Sequence, residues 1–346
     1  MKILLIGPYP PPHGGISVHV WGIQRGLTAA GVECRVLDTR DVRSWRFHFT
    51  LLRYSLQGWT LHLHIDGHNW KSWLLALWCG IVGQSGRSCI LTLHSGLAPG
   101  YVTALRGWRR RLVRLTCRLY SRVICVSPAV RDALVLLGQR TDRIDIAPAY
   151  LETVLDEIPL DRKTVAWMEE HRPLLSTALF FRPEYGFDLL VSAIAMLRVR
   201  YPSVGCLVMG SGEQESEARK QVRDFGLENH MLLVGDVIHP QCLALMSRTD
   251  LFVRTTWYDA DSISVREALA LGVPVVASRV GSRPKGVILF QPGDVTDLLS
   301  KIESTMKIES SMAFERIARP SGRGELEHLM DIYRHVIAPG EAYVST

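Results

Sequence analysis

The sequence predicts an α/β protein made of two doubly wound domains in tandem. Three observations carry this. Short apolar runs alternate with stretches whose apolar residues fall at helical spacing. Gly and Pro punctuate the joins. The alternation halts in a polar stretch at about 150–172 and then begins again.

In order, KILLIG (2–7) reads as a fully buried strand followed by a Pro/Gly loop to Gly15. A helix over 18–27 ends at Gly31, and CRVLDT is a second strand. TLHLHID (60–66) alternates Leu, Leu and Ile with His, His and Asp, as a strand does. Trp70, Trp73, Leu74, Leu77 and Ile81 mark a helix, SCILTLH a strand, 103–120 one long helix and SRVICVS another strand. After the polar stretch, LLSTALFF is a new first strand and Phe187 to Leu197 a helix. The strands VGCLVMG, MLLVGDV, DLFVRTT and VPVVAS follow, with helices LALMS and ISVREALALG between them. The expected boundaries are 1–160, 161–325 and a C-terminal helix and tail over 326–346 that folds back on the first domain.

The chain has 346 residues, 47% hydrophobic and 21% charged, which suits two globular domains and excludes disorder. Its seven cysteines are scattered without metal-ligand spacing, and most lie in apolar runs, as buried thiols of a reducing compartment do. MKILLIGPYPPPHGG lacks the features of a signal peptide, and the longest apolar run, 73–83, falls short of a spanning helix. A cytoplasmic protein, peripheral at most to the membrane's inner face, is expected. The net charge of +6 is uneven, at +9 over 1–160 and −3 beyond, so the first half suits an anionic partner. Leu105, Trp108, Leu112, Leu115 and Leu119 form one stripe at helical spacing among seven arginines between 106 and 122. That stripe is either a core face beneath a solvated basic face or a contact with an anionic membrane through 103–122.

The stretch YDADSISVREALALGVPVVAS (258–278) carries the chemistry. It runs from a strand's C-terminal end into a helix, the place where open parallel sheets bind ligands. Ser262 or Ser264 suits the N-cap, so the amides of Ser262, Ile263 and Ser264 and the helix dipole face an anion. Glu267, one turn in, is placed either to accept hydrogen bonds from a sugar diol or simply to favour the dipole. Asp259 and Asp261 form a short Asp-x-Asp, a weak signal for a cation, and no metal is expected.

This stretch resembles the signature of the retaining glycosyltransferases of family 4, also called glycosyl transferases group 1. Their motif is Glu, seven residues, Glu, then Ala-x-Ala-x-Gly-x-Pro-Val. Asp259 stands at the first acid, Glu267 at the second, and Ala268, Ala270, Gly272 and Pro274 match. The resemblance implies the GT-B fold, two Rossmann-like domains facing across a cleft. It implies that Glu267 binds the nucleotide ribose and Asp259, or Asp261 beside it, faces the donor sugar. PPPHGGISVHV resembles the first Gly-rich loop, in which Gly14 and Gly15 approach donor phosphates and acceptor. ILTLHSG nominates His94 for the donor sugar, and GSGEQES places Gly210, Ser211 and Gly212 near the base. FFRPEYGFDLL supplies Arg182 for the diphosphate, but Tyr185 stands where the family has Lys, and Arg254 is the candidate to replace that cation. Lys285 likewise stands where a Glu is usual.

The implied function is retaining transfer of a hexose-like sugar from a nucleotide-sugar donor, UDP- favoured over GDP-, to a glycan or lipid-linked acceptor. No cofactor, metal or nucleic acid is involved, and the setting is surface polysaccharide or glycolipid synthesis. The alternatives are a sugar-nucleotide epimerase of the same fold and an inactive sugar-nucleotide-binding relative. GPYPPPHGG lacks the Gly-x-Gly-x-x-Gly that a nicotinamide dehydrogenase requires.

Overall fold

A computed structural model describes residues 1–86, 88–149, 158–311 and 323–337. The chain divides into two compact units. One gathers the described residues of Met1–Glu152, Asp259–Asp261 and Ser321–Thr346, the other those of Thr153–Tyr258 and Ser262–Pro320.

The first unit contains β1 (Lys2–Gly7), α1 (Gly15–Ala29), β2 (Glu33–Asp38), α2 (Trp45–Leu56), β3 (Thr60–Ile65), α3 (Trp70–Gly83) and β4 (Cys89–Leu93). It continues with α4 (Ala98–Ala104), α5 (Gly107–Arg118), β5 (Arg122–Cys125), α6 (Pro128–Leu136) and β6 (Ile144–Ile146). The six strands lie in the order β2-β1-β3-β4-β5-β6, all parallel. Reversal of the order at β1 and β3 is the mark of a doubly wound sheet. Leu4 pairs with Leu61, so the β1 residues Ile3 and Leu5 share a face with Thr60, His62 and His64 of β3. On that face α1 contributes Val20, Ile23 and Leu27 to the core. α2, α3 and α5 pack side by side, and α3 packs on β3 and β4, where Gly83 lies against Cys89 and Leu61.

The second unit contains α7 (Arg162–Glu169), β7 (Leu174–Ala178), α8 (Phe187–Arg200), β8 (Gly205–Met209), α9 (Glu215–Asp224), β9 (Met231–Gly235) and α10 (His239–Met246). β10 (Leu251–Arg254), α11 (Ile263–Ala270), β11 (Val275–Ser278), β12 (Ile288–Phe290) and α12 (Val295–Ser311) complete it. Its sheet is also six-stranded and parallel, in the order β12-β11-β10-β7-β8-β9. Successive residues of each strand feed opposite cores. Leu175, Val208, Val253 and Val276 pack with α8, α9 and α12. Leu174, Leu207, Phe252 and Val275 pack with α7, α10 and α11. A final helix, α13 (Arg323–Ile337), belongs to the first unit, where Leu329, Ile332 and Tyr333 join the core beside α1.

The fold is therefore the two-sheet α/β architecture expected, with local differences. The expected polar linker holds α7, capped by the Asp161 carboxylate accepting from the Thr164 amide at 2.8 Å; residues 150–157 of that linker lie outside the described residues, as do 338–346 of the expected tail. The single helix expected over 103–120 is two. Leu105 and Arg106 are extended and Gly107 takes φ 56°, which separates α4 from α5. The apolar stripe is split too. Leu105 is buried, but Trp108 and Leu115 are exposed, and α5 buries Val113, Thr116 and Cys117 instead.

Candidate functional site

In the second unit the C-terminal ends of β7, β8, β10 and β11 lie on one edge of the sheet, and the polar residues collect there. After β7 the chain turns against the loop that follows β8. The Leu179 amide donates to the Met209 carbonyl at 2.9 Å and the Phe181 amide to the Ser211 carbonyl at 3.1 Å. Gly210 takes φ 133° there, and a Cβ on it would run into the Leu179 carbonyl oxygen. A Cβ on Gly212 would sit 2.7 Å from the Phe181 nitrogen. The backbone approach between the Gly210–Gly212 loop and the Arg182 loop thus requires glycine at both positions.

Arg182 is exposed and lies over the Phe180 ring at 5.5 Å. Arg254 is buried at the end of β10. Its Nη1 donates to the Ala178 carbonyl at 2.8 Å, and its guanidinium covers the Tyr185 ring at 4.9 Å. Tyr185, at the position where the family pattern has Lys, is therefore the platform for Arg254. The next residues tie this edge together. Thr255 Oγ1 donates to the Tyr185 carbonyl at 2.9 Å, and Ser278 Oγ donates to the Thr256 carbonyl at 2.6 Å. Arg283 donates to the Ser278 carbonyl at 3.2 Å and to Thr256 Oγ1 at 3.3 Å.

Ser262 is the N-cap of α11 by backbone position, and its hydroxyl lies 3.2 Å from that of Ser264 rather than bonding the first turn. The first amides of a helix have no intrahelical acceptor, so those of Ile263 and Ser264 are directed off the N-terminus. Glu267 is buried. Its Oε1 is 2.6 Å from His239 Nε2, at the start of α10. A buried carboxylate needs such a partner, and the imidazole also fixes which way it points. The helix stops as its sequence dictates. Gly272 takes φ 75°, its amide donates to the Leu269 carbonyl and the Val273 amide to the Ala268 carbonyl, each at 2.9 Å. The Pro274 carbonyl then accepts from Phe252, which fixes β11 beside β10.

The first unit gathers another set. The Gly14 amide at the start of α1 donates to Ser17 Oγ at 2.9 Å, and Ser17 Oγ donates to the Pro12 carbonyl at 2.7 Å. A Cβ built on Gly15 meets nothing within 4 Å, so packing does not demand glycine there. His94, just past β4, lies with its Nε2 3.0 Å from Nδ1 of His64. His19 of α1 stands edge-on to both rings, at 5.6 Å from His64 and 5.2 Å from His94. His62 continues the row, bonded to Thr92 Oγ1 at 2.7 Å and to the Tyr333 hydroxyl at 2.6 Å. Burial pushes His19 and His62 down to about 3, and His64 and His94 well below the ordinary histidine range; neighbouring imidazoles add to the shift for all but His19. All four rings are thus neutral near pH 7. One nitrogen from each of His19, His64 and His94 falls within 4.8 Å of the others, the one set among the described residues placed to hold a metal ion. The His64–His94 contact already engages two of their nitrogens.

Of the residues singled out in the sequence, Arg182, Gly210, Ser211, Gly212, Arg254, Ser262, Ile263, Ser264 and Glu267 lie in the second unit. Gly14, Gly15, His94, Asp259 and Asp261 group with the first. The two motif acids, eight residues apart in sequence, therefore fall in different compact units. Sequence reasoning missed His239, whose place at a helix start after β9 was the available signal. It also missed the imidazole row, because the alternation of His with Leu in β3 marks a strand without showing that both its faces are buried, as they are here.

Known proteins can now be set beside this geometry. The profile of glycosyl transferases group 1 matches residues 168–319, and that of glycosyltransferase family 4 matches residues 13–150. The GPI3 subunit of phosphatidylinositol N-acetylglucosaminyltransferase from Saccharomyces cerevisiae is 19% identical over 265 residues, covering 73% of this chain and 57% of that protein. The GDP-mannose-dependent alpha-(1-6)-phosphatidylinositol monomannoside mannosyltransferase of Mycolicibacterium smegmatis is 28% identical over 133 residues, 36% of this chain and 35% of that one. The chain thus spans only 57% and 35% of the lengths of these two curated relatives. Among solved structures, Anabaena Alr3699/HepE in complex with UDP and glucose aligns with TM-score 0.74 and 16% identity, over 96% of this chain and 99% of that one. Sucrose-phosphate synthase from Thermosynechococcus elongatus aligns with TM-score 0.70 and 19% identity, over 98% and 100%. With a GT-B fold and both halves of its sequence matched, the chain belongs to the group 1, family 4 glycosyltransferases.

Proposed function

We propose that this protein is a retaining, metal-independent glycosyltransferase that moves a sugar from a nucleotide-sugar donor, a UDP-sugar in preference to a GDP-sugar, to a glycan or lipid-linked acceptor. The observation that carries the reading is Glu267, a buried carboxylate aimed by His239 beside the N-terminus of α11 at the edge where the strands end. A ribose offers two adjacent hydroxyls to such a carboxylate, and a diphosphate suits the neighbouring amides and the helix dipole. Arg182 and Arg254 take up charge that grows on the leaving diphosphate, and the Gly210–Gly212 loop lies toward the base. His94, neutral at its strand end, and Asp259, with Asp261 beside it, position the sugar, and the Gly14–Gly15 loop, open at Gly15, receives phosphate or acceptor. The solved relative holding UDP and glucose supports a nucleotide-sugar donor. The two curated relatives act on phosphatidylinositol-based molecules by name, which supports a lipid-linked acceptor, met in the cytoplasm through peripheral contact of 103–122 with an anionic membrane.

A second reading, a relative that binds sugar nucleotides without turning them over, is favoured by Tyr185, which puts a stacked ring where the family has a cation. One experiment separates them. The purified chain is screened for UDP- and GDP-sugar binding and for release of the nucleotide with lipid-extracted acceptors, with and without EDTA. Nucleotide release that depends on acceptor and survives EDTA is expected. Binding without release supports the second reading, and conversion of the donor into another sugar nucleotide, without acceptor and without net nucleotide release, points to an epimerase.

A further inference from the structure

The outer helical layer of the first unit has its polarity reversed. α2 buries Phe47 and Leu51, yet it leaves Trp45, Phe49, Leu52 and Leu56 exposed at spacings of one helical turn. α3 repeats the pattern with Leu74, Trp78 and Ile81 outward and Trp73, Ala76 and Cys79 inward. α5 adds Trp108 and Leu115. Trp45 is 71% exposed and Trp108 62%, far more than large aromatic side chains usually are.

These faces are joined. The three helices pack side by side. His48 of α2 stands edge-on to Trp78 of α3 at 5.9 Å, and Trp70 of α3 edge-on to Trp108 of α5 at 5.1 Å. Arg109 lies over both Trp70 and Trp108, at 5.9 and 5.6 Å. The layer is therefore one continuous apolar and aromatic surface rather than scattered side chains.

Its charge is one-sided. Between residues 42 and 131 the chain carries thirteen Lys and Arg and a single acid, Asp66. The exposed cations Arg46, Arg53, Lys71, Arg109, Arg110 and Arg118 lie on these same three helices, none of which contains an Asp or Glu.

We propose that this three-helix surface lies on an anionic lipid bilayer. Tryptophan with interspersed Arg and Leu at an exposed helix face suits the boundary between headgroups and acyl chains. The absence of acids suits a partner that is negative throughout its plane, and a bilayer supplies both an apolar phase and that charge. No helix among the described residues is long and apolar enough to cross a membrane, so the contact is a lateral one. The surface extends the expected contact at 103–122 to α2 and α3, and it stands independently of the transfer reaction.

The test uses the full chain with vesicles of phosphatidylcholine alone or mixed with phosphatidylglycerol, read by co-sedimentation and by tryptophan emission. Partition to the anionic vesicles with a blue shift is expected. Combined Trp45→Ser, Trp78→Ser and Trp108→Ser should abolish the blue shift and lower partition at least tenfold. Combined Arg109→Gln, Arg110→Gln and Arg118→Gln should lower binding to anionic vesicles on the order of a hundredfold, each exposed cation contributing roughly a fivefold factor. Circular dichroism and nucleotide binding, both unchanged, show that the variants remain folded. Failure of the wild-type chain to bind anionic vesicles overturns the proposal. So does partition that the folded tryptophan variant retains in full, or a stable self-associated form in which these tryptophans are already shielded.

Discussion

At the residue scale the two arginines proposed to meet the donor diphosphate are held differently, and their substitution should separate them. Arg182 is exposed and stacks on Phe180, so Arg182→Ala should leave the fold intact and weaken nucleoside diphosphate binding by about 1.5–3 kcal/mol, the scale of a charge-assisted hydrogen bond. Arg254 holds the Ala178 carbonyl and covers Tyr185. Arg254→Ala should therefore lower the melting temperature as well as nucleotide affinity, because it removes a buried guanidinium together with its bond to the part-buried Ala178 carbonyl. Calorimetry and thermal melting of both variants check this. Tyr185 bears on the same point. Its replacement of Lys leaves the sheet edge with one fewer exposed cation, while its ring fixes a buried one in place.

At the element scale the Gly210–Gly212 loop should be the least tolerant of change. Gly210→Ala forces a side chain onto a left-handed backbone and against the Leu179 carbonyl, so it should destabilise the second unit by more than about 1 kcal/mol in a denaturant titration. Gly15→Ala, where a Cβ meets nothing, should leave stability unchanged. Elements of this kind show what could be read in advance. The ten longer strands, α11 and its stop at Gly-Val-Pro were legible because each is decided locally, by an apolar run or a glycine with positive φ, whereas the three-residue β6 and β12 are too short to leave such a run. The break between α4 and α5 was not, because the stripe from Leu105 to Leu119 keeps helical spacing straight through it. Which face of α5 is buried was also hidden. Periodicity reports that an apolar stripe exists, and here the core takes Val113, Thr116 and Cys117 while the larger side chains face outward. In the same way Glu267 was legible from its motif, but its His239 partner comes from another element, 28 residues away in the chain.

At the scale of the whole molecule, the buried imidazole row makes stability depend on pH. Burial lowers His19 and His62 from 6.5 to about 3, and His64 and His94 lie well below 6.5. The folded state keeps these rings neutral, whereas the unfolded chain takes up protons as pH falls through 6.5. Stability is thus fully present above about pH 6.5 and is lost as pH falls below it, down to about 3 for His19 and His62. The melting temperature should fall steeply from pH 6.5 downward, and a flat profile between pH 6.5 and 4.5 would show that the row takes up protons without unfolding. The same core ties α13 to the sheet of the first unit, since the Tyr333 hydroxyl bonds His62 of β3.

The central claim is that the two motif acids have separate tasks. On the proposed function Glu267 binds a ribose that the reaction leaves unchanged, and Asp259 acts on the transferred sugar. Titration calorimetry with UDP and GDP, run beside a steady-state transfer assay on the same preparations, tests it most directly. Glu267→Gln should weaken nucleoside diphosphate binding by about 1–3 kcal/mol, whereas Asp259→Asn should bind it as the wild type does and lose turnover. Unaltered nucleotide affinity in a folded Glu267→Gln variant would contradict the account, and normal turnover by Asp259→Asn with none by Asp261→Asn would move the first acid by two residues.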